Sequence, residues 1–120
     1  MLELHITLPM VPPSNNLFIG RENRWEYQSQ KKAWAALVRA KCGFIPQNPI
    51  PKARVEIFYY FVDNRRRDPD NYSGKFILDG LVRAGIIKDD SFSCVRLALG
   101  AAVDKERPRT EITVTEVENV

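Results

Sequence analysis

Leu2, Leu4, Ile6 and Leu8 alternate with Glu3, His5 and Thr7 at the start of the chain. A two-residue period marks a half-buried strand. Pro9, Pro12 and Pro13 end it, and Ser14-Asn15-Asn16 extends the loop. Residues 17–28 are polar and aromatic without a clear period and read as loop. Ser29 suits the N-cap of a helix over about 30–42, where Ala33, Trp34, Leu37, Val38 and Ala40 form an apolar stripe and Gly43 follows as a cap. Prolines 46, 49 and 51 stiffen the next connection. Residues 53–62 (ARVEIFYYFV) are β-branched and aromatic on both faces, as in an interior strand.

A second helix is expected from about Asn71 to Ala84, with Asp70 as its cap. Ile77, Leu78, Leu81 and Val82 give its apolar face, and Gly85 suits its C-terminal end. Gly74 and Gly80 each cost this helix about 1 kcal/mol relative to alanine, which implies close packing or an irregular first turn. Strands follow near 92–103 and 110–118, expected as a hairpin around Asp104 to Pro108. The order strand, helix, strand, helix, strand, strand predicts an α+β fold. It is a single domain over residues 1–120, a mixed sheet of about four strands with two helices packed on it. At 120 residues it buries a core without staples.

No apolar run is long enough to cross a bilayer, and the N-terminus has no signal-peptide pattern. These place the chain in the cytoplasm, away from membranes. Cys42 and Cys94 match no zinc spacing and read as buried, unreactive thiols. His5, the one histidine, reads as a strand-surface residue. A metal site would therefore be built from oxygen, which favours magnesium, or manganese in its place, over zinc.

The net charge is +3, yet Asp68, Asp70, Asp79 and Asp90 gather in one stretch beside Arg65, Arg66 and Arg67. Clustered carboxylates repel, and a divalent cation relieves that repulsion. The arginines suit a polyanion such as nucleic acid. Lys31, Lys32, Arg39 and Lys41 add a basic set on the first helix, either a solvated face or a DNA-backbone contact. Plainer roles exist for each acid. Asp70 can cap a helix, Asp68 can pair with an arginine, and Asp89-Asp90 can turn the chain. Asp79 has Lys75 and Arg83 four residues to either side, the spacing of a structural ion pair. A helix of 14 residues separates its ends by about 20 Å, so Asp70 and Asp90 meet only if the loop turns back or a second chain completes the site. A metal-dependent nuclease, a non-catalytic DNA-binding module and a phosphohydrolase of small nucleotides or RNA all remain open at this level.

RRRDPDN, then K-x-x-x-D-G-L, then I-K-D-D-S resembles the RusA family of Holliday-junction resolvases, small endonucleases common in prophages. ITLPMVPPSNN is similar to the family's opening strand and loop, so the resemblance spans nearly the whole chain. It implies a magnesium-dependent homodimer that nicks two strands of a four-way DNA junction symmetrically, in recombination and repair. By position, Asp68, Asp70 and Asp90 resemble the family's metal-binding catalytic carboxylates, Asp89 a less critical neighbour, and Lys75 its essential lysine. Arg65, Arg66, Arg67, Lys31 and Lys32 are then expected on DNA phosphates. The interval from Asp70 to Lys75 is one residue longer than the family's, as an insertion near Ser73-Gly74 would make it.

Overall fold

A computed structural model describes residues 1–18 and 24–120. Four strands and two helices follow one another as β1 (Glu3–Leu8), α1 (Arg24–Lys41), β2 (Ala53–Phe61), α2 (Lys75–Arg83), β3 (Val95–Val103) and β4 (Arg109–Glu116). This is the expected α+β order. Short 3-10 turns at Asn15–Phe18 and Pro69–Asn71 precede the two helices.

The sheet runs β1-β4-β2-β3. β2 pairs antiparallel with β4 and parallel with β3, and β4 pairs antiparallel with β1. β3 and β4 are therefore not the expected hairpin, because β2 lies between them. The connection passes over the end of β2, where the Asp104 N–H donates to the Phe61 carbonyl at 2.8 Å. A parallel neighbour for β2 leaves β3 at the edge of the sheet.

One face of the sheet carries the core. Leu4, Ile6 and Leu8, then Ala53, Val55, Ile57, Tyr59 and Phe61, then Ile112 and Val114, alternate inward and are buried. His5 points outward, as expected. Trp34 and Val38 of α1 and Phe76, Ile77 and Leu81 of α2 close over that face. The helices cross closely at Gly80, where an added Cβ would stand 3.1 Å from Val38 Cγ2 and 3.3 Å from Ala35 Cα. The second glycine, Gly74, takes the other expected role. It caps α2 at φ +81°, a left-handed conformation that glycine adopts without penalty.

Helix boundaries differ from those expected. α1 begins at Arg24, so Ser29 lies inside it and is not its cap. The expected loop at 17–28 is 3-10 at its start and helical from Arg24, and its residues 19–23 lie outside the described residues. Tyr27 explains the longer helix, because its ring packs at 5.7 Å from Phe18 and 5.6 Å from Phe76. Tertiary contact thus ordered a stretch whose local pattern has no helical period. α2 begins at Lys75, and Asp70 sits in the preceding 3-10 turn instead of capping it. Gly85 follows α2 at φ +80°, as expected of a C-terminal glycine. Cys42 and Cys94 are free and half-buried, less enclosed than expected, and the Cys42 thiol donates to the Phe44 carbonyl at 2.8 Å. Among the described residues no helix is long and apolar enough to cross a membrane.

Candidate functional site

β2 delivers the chain to the acidic loop. At its end Phe61 presents its ring to Arg67, whose guanidinium carbon lies 4.2 Å from the ring centroid. Arg67 also bonds Asp63 through Nη2 to Oδ1 at 2.8 Å and through Nη1 to the Asp63 carbonyl at 2.9 Å. Arg65 Nη2 takes the other carboxylate oxygen of Asp63 at 2.9 Å. Hydrogen bonds from Arg65 first, then Arg67, hold the Asp63 carboxyl well below the usual carboxylate range. Residues 63–67 are thereby tied into a rigid turn just before Asp68. The arginine run serves two ends: Arg67 is largely enclosed as a staple, while Arg65 and Arg66 keep most of their side chains in solvent.

Asp68 is half-buried, and its Oδ1 accepts from Arg66 Nε at 3.2 Å. Its backbone is extended, but Pro69 turns the next residues into 3-10 geometry, so Asp68 and Asp70 do not follow strand alternation. Asp70 is exposed. The Asn15 side chain pins this segment, donating from Nδ2 to the Asp70 carbonyl at 3.3 Å and to Ser73 Oγ at 3.0 Å. Below it Tyr59 is buried against Gly74, and burial pushes its phenol well above the ordinary value, against a hydrogen bond from the Gly74 backbone. Lys75 then opens α2 with its ammonium exposed, 5.1 Å from the centroid of the Tyr27 ring.

Asp79 is a structural residue in this arrangement. It pairs with Arg83 at 2.9 Å on its own helix and with Lys31 of α1 at 3.7 Å. Lys31 is thus engaged between the helices, and its ammonium also lies 5.6 Å from the Tyr27 ring. Lys32 is exposed.

Asp90 lies elsewhere. Backbone bonds of Ile50 to Ile86 and of Lys88 to Ile50, both 2.9 Å, fix the segment ahead of it. Asp90 is exposed beside a hollow lined by Leu78, Phe92 and the first residues of β3, Val95 to Leu97. Asp68 lines a different hollow, against Leu99, Gly100 and Ala101 of the same strand. The two sets of strand residues are centred four residues apart, about 13 Å at 3.3 Å per residue. Among the described residues, no three side chains of His, Cys, Asp or Glu gather into a group able to hold a metal ion. One chain therefore carries Asp68 and Asp70 on one loop, with Lys75 at the start of the next helix, and places Asp68 and Asp90 at different hollows.

Sequence reasoning passed over Asn15, Tyr27 and Asp63. Asn15 had a signal, since it belongs to the ITLPMVPPSNN segment. Tyr27 and Asp63 had none, because their partners come from other elements or from a local turn.

A family model described as Endodeoxyribonuclease RusA matches residues 13–115, most of the chain. No curated protein matches it significantly.

Proposed function

The chain belongs to the RusA endodeoxyribonuclease family, and from that premise we propose that it resolves four-way DNA junctions in the cytoplasm as a magnesium-dependent homodimer, by paired nicks. The observation that carries this reading is the position of the acids along β3. β3 is a nine-residue edge strand with one side unpaired and a single charged side chain, Arg96. Leu97, Leu99, Ala101 and Val103 are exposed along it. Long apolar edges are normally blunted by charge or covered, because they pair with other chains. A second copy is the self-complementary cover.

Two-fold antiparallel pairing centred near Ala98 sets Leu97 against the partner's Leu99 and Val95 against the partner's Ala101. The Asp90 end of one chain then meets the Asp68 end of the other. Each of two equivalent sites draws Asp68 and Asp70 from one chain and Asp90 from its partner. All three are hard oxygen donors, and such a set suits magnesium, or manganese in its place. A bound ion of this kind supplies Lewis-acid activation of water and offsets charge on phosphodiester oxygens. Lys75 stabilises the charge that develops at the phosphorus. Arg65 and Arg66, with Lys32, hold backbone phosphates, which positions DNA without reading sequence. Two sites related by a two-fold axis match the two equivalent strands of a junction.

A synthetic four-way junction, assayed beside linear duplex, RNA and nucleotides with and without magnesium, tests the proposal. Paired cuts in the junction alone are expected. Hydrolysis of another substrate with the junction left intact would remove it.

A further inference from the structure

Three hollows at one end of the sheet share walls. The hollow against Asp68 is bounded by Phe61, Arg67 and Tyr72. The same three residues line a second hollow, closed on its far side by Pro9 and Pro108. Those prolines also line a third, with Thr7, Lys41, Arg107 and Arg109. Sharing these walls, they follow one another as a line of hollows, a broken groove along that end of the sheet. It starts beside β3, passes the ends of β2 and β4, and finishes at β1. Three strand spacings at about 4.8 Å give it a length of about 14 Å.

At its start the groove carries one acid, Asp68, beside Arg67, and at its finish it is basic. No acid lines the third hollow. Arg109 there is already neutralised, since Nη1 bonds Asp104 at 2.8 Å and Nε bonds Glu111 at 3.0 Å, and its guanidinium carbon lies 3.7 Å from the Tyr60 ring centroid. Lys41 and Arg107, by contrast, are exposed and form no ion pair among the described residues.

Arg107 is held in place by its backbone. Asp104 Oδ1 accepts the N–H groups of Glu106 at 3.2 Å and Arg107 at 3.0 Å, while Arg109 Nη1 donates to the Arg107 carbonyl at 3.0 Å. The β3–β4 connection is thus a pre-formed turn that carries an uncommitted guanidinium. The middle of the groove, with Pro9, Pro108, Phe61 and Tyr72, is apolar and stiff. Such a surface suits sugar edges between two points of phosphate contact.

We propose that this groove carries the phosphodiester backbone of a junction arm away from the acids, and that Lys41 and Arg107 hold phosphates at its far end. The inference rests on the nuclease reading and adds the path of the substrate.

The test measures binding of a synthetic four-way junction without metal across a salt series, then cleavage with magnesium. Lys41→Ala and Arg107→Ala are made singly and together, with Arg107→Glu as a stronger variant. Lys52→Ala, at the opposite end of β2, is the control. Each of the two alanine changes is expected to reduce the slope of log affinity against log salt by about 0.9, and the pair to weaken binding about tenfold. Cleavage by the pair at saturating junction is expected to stay within about twofold of wild type, so that the loss falls on KM. Unchanged affinity and slope, in protein whose wild type cuts the junction, overturn the groove. So does an equal loss in Lys52→Ala, which would mark a general charge effect. A wild type that fails to cut the junction strikes the nuclease reading instead.

Discussion

The Asn15 side-chain amide donates to Ser73 Oγ at 3.0 Å, across a separation of 58 residues. The same nitrogen reaches the Asp70 carbonyl. One side chain of the proline-rich loop therefore holds the short acidic segment against the body of the protein. Asn15→Ala removes this tie without touching a carboxylate. A neutral hydrogen bond contributes about 1 kcal/mol, so the thermal midpoint is expected to fall by about 4 °C. Under the proposed function, a loosened Asp70 raises the magnesium concentration for half-maximal junction cleavage while metal-free DNA binding holds. Fluorescence-monitored melting and a magnesium titration check both halves.

The strands were the most legible part of the chain. β1 and β4 bury one face and expose the other, and that difference is written as alternation in residues 2–8 and 110–115. The aromatic run of β2 also reads correctly as an interior strand. Its inward residues Tyr59 and Phe61 join the core, while Phe58 and Tyr60 pack on each other at 4.9 Å on the open face. Strand order was not legible. Adjacency in sequence favours a hairpin for β3 and β4, but nothing local records that β3 finds a parallel partner in β2. The start of α1 was hidden for a related reason, since Tyr27 is fixed by Phe18 and Phe76 from distant segments. At the site, the residue types were visible and their grouping was not. Helix length already set the acids of the first loop apart from Asp90, and the structure places Asp68 and Asp90 at different hollows along β3, an edge that sequence spacing does not name.

The two glycines of α2 separate in effect. Gly80→Val forces two methyl groups towards Val38 and the Ala35 backbone at the helix crossing. Overpacking of this kind costs about 1–3 kcal/mol. Gly74→Ala meets two penalties: a φ of +81°, and a Cβ that would stand 2.5 Å from Ile57 Cδ1. The conformational penalty alone is about 1–2 kcal/mol. Chemical denaturation is expected to show both variants destabilised. Only Gly74→Ala should also change the magnesium response, because it alone adjoins the acidic segment.

Asp63 is expected to contribute to stability on the acid side. Its carboxyl is held well below the usual range by Arg65 and Arg67. A depressed folded-state value means the carboxylate favours the folded form at every pH above its unfolded value, near 3.9. That contribution is lost as pH falls below about 4 towards the folded value. Asp63→Asn has no such charge to protonate. Melting midpoints from pH 6 down to pH 3 are expected to fall more steeply for wild type than for Asp63→Asn. Parallel curves would show that other groups govern acid unfolding.

The division of acids between two ends of β3 has a decisive consequence for mixed dimers. Asp70→Asn and Asp90→Asn are each expected to abolish cleavage when assayed alone, because every site then lacks one donor. In a site shared between chains, a dimer of one Asp70→Asn chain and one Asp90→Asn chain has one site with both defects and one with none. Mixing the two inactive proteins, with denaturation and refolding to exchange subunits, should restore nicking of one junction strand per dimer. If each site lies within one chain, both sites of the mixed dimer carry a defect and nothing is restored. Statistical exchange makes half of the dimers mixed, so the expected signal is about a quarter of the wild-type sites. Denaturing gels of end-labelled junction strands would show single nicks without paired ones, and their absence from an exchanged, folded mixture would place Asp90 outside the partner's site.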